Sequence, residues 1–435
     1  MTAVDQNTLD MRRGVCPALS APMQTGDGLL ARVALTDAIT PARLAGLCRL
    51  ARRHGNGIVD ISARGNLQIR GLTEETARFL ETDIRVMNLP LREGLAVDVP
   101  PLAGLDETEV ADPRPLAEAI RDGAGGIEGL APKMSVVVDG SQRLRLSGLL
   151  ADIRLVANRT ESGIRWQILL GGIEADGRVH GTFHEADALS ETLALLRKLG
   201  SLGEKARGRD LAGETAPLAD TAADTTSPFG IVSLKNDLFA LGIGPAFGQG
   251  EALALAALCM EAERLGFRSV KPAFDHSLLF FGSRAACESL SRFAAASGFV
   301  TSATDPRSMI AACSGSPACM SAMVKTRALA ATVVEECGDM LDGSFRLHVS
   351  GCPKGCAHPH PSALTLCGTS GGLSLIAGAA GDRPYAAIPH ETVIPTLRRL
   401  AGLIQGERRS GENSAACLTR LDPDRLAAYL TSGQP

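Results

Sequence analysis

The chain has 435 residues, 45% hydrophobic and 21% charged, which suits a soluble globular protein of roughly two to three domains, each with its own core. A formal net charge of −4 argues against wholesale binding to nucleic acid or an anionic membrane, and 3% aromatic residues leave little to stack on bases. The opening residues, MTAVDQNTLDMRRG, hold no apolar signal core, and no run approaches the roughly 20 apolar residues of a membrane span. A cytoplasmic location is expected, where eleven cysteines are not a disulfide framework.

In chain order, GDGLLARVAL, TPARLAGLCRLARRHG and IVDISARGNLQIRGL read as strand, helix, strand, tight turn and strand. The same order returns in KNDLFALGIG, EALALAALCMEAERLG and RSVKPAFDHSLLFFG, with Gly55 and Gly266 each placed to end its helix. This agreement points to an internal duplication. After the first copy come strands in MSVVVDG, DIRLVANR and IRWQILLGG and a helix in ALSETLALLRKLG. After the second come a helix from PACM through VVEEC and strands in SFRLHVS and ALTLCG. Residues 201–228, ending in GETAPLADTAADTTSP, carry little to bury and read as a linker. The expected architecture is α+β. Duplicated ferredoxin-like half-domains at 12–75 and 229–300 form one central domain, with α/β domains at 76–200 and 301–435.

Four of the cysteines have ligand spacing. AACSGSPACMSAM sets Cys313 and Cys319 in C-x5-C, and HVSGCPKGCAHP sets Cys352 and Cys356 in C-x3-C. Four thiolates are what a [4Fe–4S] cubane needs, and an iron–sulfur oxidoreductase is the expectation. The first pair flanks a Gly-Ser-Pro turn read as a helix start, where free N–H groups and the dipole favour an anionic cluster. The second lies in a Gly-rich loop after a strand, where backbone approaches sulfur closely. Structural zinc also takes four thiolates, though usually in shorter pairs. The other cysteines, Cys48 and Cys259 among them, read as ordinary buried thiols.

The cysteine pairs, the duplicated halves and the segment ARGNLQIRG together resemble the sulfite/nitrite reductase superfamily over roughly residues 12–366. Within it, RRGVCPALSAPMQTGDGLL, PLAGLD and HVSGCPKGCAHP are most similar to an O2-dependent branch that serves aerobic cobalamin synthesis. The resemblance implies that both α/β domains are of the nitrite/sulfite-reductase type. For the reductases it implies sirohaem beside the cluster, bridged by the last cysteine, with Arg and Lys on the anion. For the O2-dependent branch it implies no sirohaem. There a tetrapyrrole, precorrin-3A, is the substrate, and the cluster works with a mononuclear non-haem iron and O2. The macrocycle is hydroxylated at C20 and its ring A acetate closes to a γ-lactone. NADH would be the indirect electron source through a separate electron-donor reductase, since GIGPAFGQG lacks the spacing of a dinucleotide fingerprint.

The reductases surround their anion with four basic residues. Arg64 fits the first and Lys133, in APKMS, the first lysine of a K-x-K pair; Ser135 stands in place of the second lysine and Leu95 in place of the other arginine. With those charges missing, a sirohaem-dependent sulfite or nitrite reductase is the alternative reading. Precorrins carry many acetates and propionates, which Arg forks bind. Arg64, Asn66, Gln68 and Arg70 alternate along one predicted strand and share a face. With Lys133 they are the expected substrate-binding set; a solvated sheet face is the competing reading. Arg154 and Lys354 are further candidates for the same site. His348, His358 and His360 are imidazoles available to an iron, or structural histidines; no 2-His-1-carboxylate spacing appears.

Overall fold

A computed structural model describes residues 17–213 and 226–431. The first repeat forms β1 (Met23–Thr25), β2 (Gly28–Val33), α1 (Pro41–His54), β3 (Ile58–Ile61), β4 (Leu67–Leu72) and α2 (Glu74–Val86). Its strands order β1-β2-β4-β3, all antiparallel. Thr40 caps α1, and Thr73 with Thr76 closes a capping box on α2, satisfying N–H groups that a first helical turn leaves bare. Leu67 and Ile69 of β4 turn into the core, so alternation sends Gln68 and Arg70 to the other face.

A first α/β region follows, with β5 (Ala96–Asp98), α3 (Arg114–Ala124), β6 (Ser135–Asp139), β7 (Ile153–Thr160), β8 (Gly163–Leu170), β9 (Arg178–Phe183) and α4 (Glu185–Leu202). Its sheet is parallel from β5 to β7 and antiparallel from β7 to β9. Every residue of β6 is buried, as befits a parallel strand covered on both faces.

The second repeat forms β10 (Gly230–Ser233), β11 (Phe239–Ile243), β12 (Gln249–Glu251), α5 (Ala252–Arg264), β13 (Ser269–Ala273), β14 (Ser277–Gly282) and α6 (Arg284–Ala296). Its order, β10-β11-β14-β13, repeats the first. Strand β12 leaves its own repeat and pairs antiparallel with β3. Helices α1 and α5 pack together, and a single core takes Leu44, Leu47 and Cys48 from one and Leu255, Leu258 and Cys259 from the other. The two tight turns also abut: a Cβ on Gly65 would stand 2.8 Å from the backbone of Ala273, and Asp275 N–H donates to the Ala63 carbonyl at 3.2 Å.

The last region holds β15 (Ile310–Ala312), α7 (Thr326–Cys337), β16 (Leu347–Ser350), β17 (Ser362–Thr369), β18 (Gly372–Gly378), β19 (Ala386–Pro389), α8 (Val393–Glu407), α9 (Ser414–Leu421) and α10 (Pro423–Thr431). It repeats the parallel-then-antiparallel sheet of the first α/β region, so the duplication covers both kinds of unit. No helix among the described residues is long and apolar enough to cross a membrane.

The repeats exchange covers. The outer face of the second ferredoxin-like sheet is apolar, and Leu279 and Phe281 pack there against Leu102 and Leu144 of the first α/β region. The outer face of the first sheet is polar and meets the cysteine-bearing region through Arg70 and Asp60.

Boundaries differ from expectation in three places. Helix α2 buries Ala77, Leu80 and Ile84 in the central core, so the first half-domain does not end at residue 75. Of the expected linker, residues 214–225 lie outside the described residues. Its beginning is packed instead: Arg207 holds Asp152 at 2.8 and 2.9 Å, and Gly208 N–H donates to the same carboxylate at 2.9 Å. The helix expected from PACM onward begins only at Thr326.

Candidate functional site

Cys313 follows β15, and Cys319 lies further along the same loop, well before α7. The expectation of a helix start at this turn is therefore corrected; the N-terminus of α7 meets the pair at Thr326, whose Oγ1 lies 3.9 Å from Cys313 Sγ. Gly351 backbone N–H donates to Cys313 Sγ at 3.2 Å, and the Thr326 side-chain hydroxyl donates to the Cys313 carbonyl at 2.6 Å. Glycine is required at 351 because a Cβ would come within 2.6 Å of Ala322 Cβ and 3.5 Å of Cys313 Sγ. Gly315 (φ +66°) and Gly355 (φ +59°) bend the two cysteine loops through the left-handed region.

Cys352 is buried and Cys356 exposed in the loop after β16. Burial pushes the Cys352 thiol up, with neighbouring Cys319 and Cys313 acting in the same sense. Cys367 on β17 belongs to the same neighbourhood: burial raises its thiol to about 11, with Cys352 and Cys313 adding to the shift. Its position follows from the pairing of Ser350 with Cys367 across β16 and β17, which no local spacing announces. Closely apposed loops, sulfur-directed N–H groups and adjacent thiols fit an anionic cluster. Among the described residues no three His, Cys, Asp or Glu side chains converge on a single point.

Arg70 joins the first sheet to this loop. Its guanidinium donates to Asp27 at 2.9 and 2.8 Å, to Asp60 at 3.2 Å and to the Ala318 carbonyl at 2.9 Å. Asp60 also accepts from Gln249 at 2.9 Å and Arg327 at 3.2 Å. Burial works against the Arg70 charge, yet hydrogen bonds to Asp27 and the field of Asp60 hold its pKa above the ordinary value. With 2% of its side chain exposed, Arg70 fastens Cys319's neighbour rather than offering a free fork, which corrects its expected role. Gln68 stands in a cross-strand row with Arg32, Asp60 and Gln249.

Arg64 is not on the strand. Residues 62–66 form the turn between β3 and β4, closed by Gly65 N–H to the Ser62 carbonyl and Ser62 N–H to the Asn66 carbonyl, both at 2.8 Å. Arg64 and Arg70 therefore do not share a face. Arg64 donates to Asp98 at 3.0 Å and to the Leu150 carbonyl; Arg92 holds Asp98 at 3.0 Å and reaches Asn66 Oδ1 at 3.5 Å. Two guanidiniums on one carboxylate leave positive charge at a cleft of about 60 Å³, which Arg121 and Lys271 also line. Arg92, Arg121 and Lys271 lie on separate elements, so no motif gathers them in sequence.

Lys133 is half-buried in the turn before β6, outside that cleft's lining, and its carbonyl accepts from Arg207 at 3.2 Å. Arg154 is buried on β7 and commits its guanidinium to the Leu146 carbonyl at 2.8 Å and to the Leu149 carbonyl; burial pulls its pKa to about 10. Lys354 Nζ lies 3.4 Å from Ser321 Oγ, linking the two cysteine loops. Ser135 is buried with its N–H on Asp152 at 3.0 Å, and Leu95 packs on the apolar core of the first α/β region. The expected substrate set thus divides: Arg64 and Asn66 line the cleft, Gln68 and Arg70 face the cysteine loop, and Lys133 stands apart.

Residues 21–82 match the nitrite/sulfite reductase ferredoxin-like half domain. The solved structure of the Mycobacterium tuberculosis NirA protein superposes with a TM-score of 0.71 at 19% identity, covering 92% of this chain and 84% of that one. The fold is therefore that of the nitrite/sulfite reductase class. A ferredoxin–nitrite reductase of Synechococcus elongatus is 24% identical, covering 78% of this chain and 76% of its own length. A precorrin-3B synthase of a Sinorhizobium species is 41% identical over 441 residues, covering 97% of this chain and 95% of that protein. The chain belongs to the precorrin-3B synthase family.

Proposed function

We propose that this protein is the monooxygenase that converts precorrin-3A to precorrin-3B in aerobic cobalamin synthesis, hydroxylating C20 and closing the ring A acetate to a γ-lactone. The observation that carries the reading is the 41% identity to a precorrin-3B synthase along nearly the whole of both chains. The reductases' basic pocket is not rebuilt here: Leu95 is committed to apolar packing and Ser135 is buried. When bound, a [4Fe–4S] cluster on Cys313, Cys319, Cys352 and Cys356 and a mononuclear iron supply electron transfer and O2 activation, with NADH reaching them through a separate reductase.

The chain's own part is to bind and orient a polycarboxylate. Arg64, Arg92 and Lys271 around the cleft suit acetate and propionate groups, Asn66 adds a neutral polar contact there, Gln68 lies on the face toward the cysteine loop, and Lys133 is a more distant cation. Anaerobically purified protein from a sirohaem-making host should show a broad absorbance that dithionite bleaches, and should incorporate ¹⁸O from labelled O2 into precorrin-3A. Cys352→Ser should lose both cluster and turnover. A sharp Soret band with extractable sirohaem, together with sulfite or nitrite turnover, would establish the reductase alternative instead.

A further inference from the structure

His348 stands on β16 between Leu347 and Val349, whose side chains enter the core of the cysteine-bearing region. Alternation sends the imidazole to the opposite face. There it is fully buried, and neither ring nitrogen has a hydrogen-bond partner. Buried polar atoms in native proteins nearly always find a partner, and a side chain with two idle nitrogens calls for a reason. The ring lies 5.7 Å, centroid to centroid, from that of His358, which in turn lies 5.8 Å from His360. Gly355 of the second cysteine loop lies over the same ring: a Cβ there would be in ordinary contact, 3.6 Å, with His348 Cε1.

We infer that His348 and His358 are the protein ligands of a mononuclear divalent metal seated behind the second cysteine loop, the iron of the reaction proposed above; the inference rests on that reading. An ion about 2.1 Å from one nitrogen of each ring fits imidazoles at this separation. Asp275, whose charge reaches His358, is held by Arg346 at 2.9 and 2.8 Å and is not free to ligate. No third His, Cys, Asp or Glu completes a ligand trio among the described residues. Two protein ligands leave the remaining positions to water, O2 or a substrate carboxylate, the open coordination that an O2-using iron needs. His360, at an interplanar angle of 75° to His358, is placed to set that ring's orientation.

The test uses the full chain, purified anaerobically with its cluster intact and titrated with ferrous ammonium sulfate. Non-cluster iron is read by metal analysis and by the EPR signal of its nitric oxide adduct. The wild type should bind one further iron. His348→Phe keeps the ring volume without nitrogens, and His358→Gln shortens the reach. Each should weaken that binding by more than about 100-fold, with cluster absorbance and far-UV circular dichroism unchanged. Wild-type iron binding in both variants overturns the assignment while leaving the iron of the proposed reaction standing. A wild type that turns over precorrin-3A yet takes up no iron beyond the cluster overturns both the assignment and that part of the proposed function.

Discussion

Replacing Arg70 by methionine removes the guanidinium that ties the first ferredoxin-like sheet to the loop between Cys313 and Cys319. The variant leaves Asp60, 3% exposed, with Gln249 and Arg327, and leaves Asp27 with Thr25 at 2.8 Å and Asn56 at 3.2 Å. Breaking a buried ion pair from one side costs about 3–5 kcal/mol. Because both carboxylates keep other donors, the lower end applies, a shift of roughly 10²-fold in the unfolding equilibrium. Burial works against the Asp27 charge, but its hydrogen bond to Arg70 leads the effects that hold the carboxyl below its ordinary value. A depressed folded-state pKa gives stability that is complete above the unfolded value and lost as the pH falls. The gap between wild type and variant should therefore be constant from about pH 5 to 8 and close below about pH 4. Urea unfolding followed by circular dichroism measures the gap. Iron and sulfide analysis should show partial cluster loss, because the Ala318 carbonyl beside Cys319 loses one of its two donors. A variant with the wild-type unfolding midpoint and a full cluster would refute the coupling of sheet and loop.

Gly26→Ala should deplete the cluster, since the added Cβ would stand 2.0 Å from the Pro317 carbonyl oxygen; full iron and sulfide content would contradict this. Iodoacetamide followed by mass spectrometry should leave Cys48, whose thiol burial pushes up to about 12, and Cys287, raised to about 11, unlabelled in the native protein. The exposed Cys356 should label once the cluster is removed. Ser135→Lys, which restores a reductase-like lysine, should cost several kcal/mol because it places an ammonium at a position 4% exposed. A variant with unchanged melting temperature and new sulfite reduction would falsify that placement.

Periodicity and spacing carry the elements whose causes are local. Helices α1 and α5 follow from apolar residues recurring at helical intervals, and both helices stop at a glycine for reasons that differ. Gly266 has φ +88°, whereas Gly55, at φ −116°, is needed because a Cβ would lie 2.3 Å from the Arg70 carbonyl. The duplicated order of strands is equally legible, and so is the pairing of Cys313, Cys319, Cys352 and Cys356. The departure of β12 to join β3 is not, because a strand's partner depends on which edge lies open.

Sequence by itself determined the α+β repeat, the apolar faces and the four cysteines with ligand spacing, because each rests on residues a few positions apart. Tertiary structure decided which face of each sheet is covered and by what. The exchange of covers placed an α/β region's Leu102 and Leu144 on the second sheet and the cysteine loop on the first. That arrangement turned Arg70 from a ligand fork into a fastener, moved Arg64 into a turn beside Arg92 and Lys271, and left His348 buried without a partner. Charge and hydrogen-bond capacity are spent on whatever lies across the interface, and that neighbour comes from a different part of the chain.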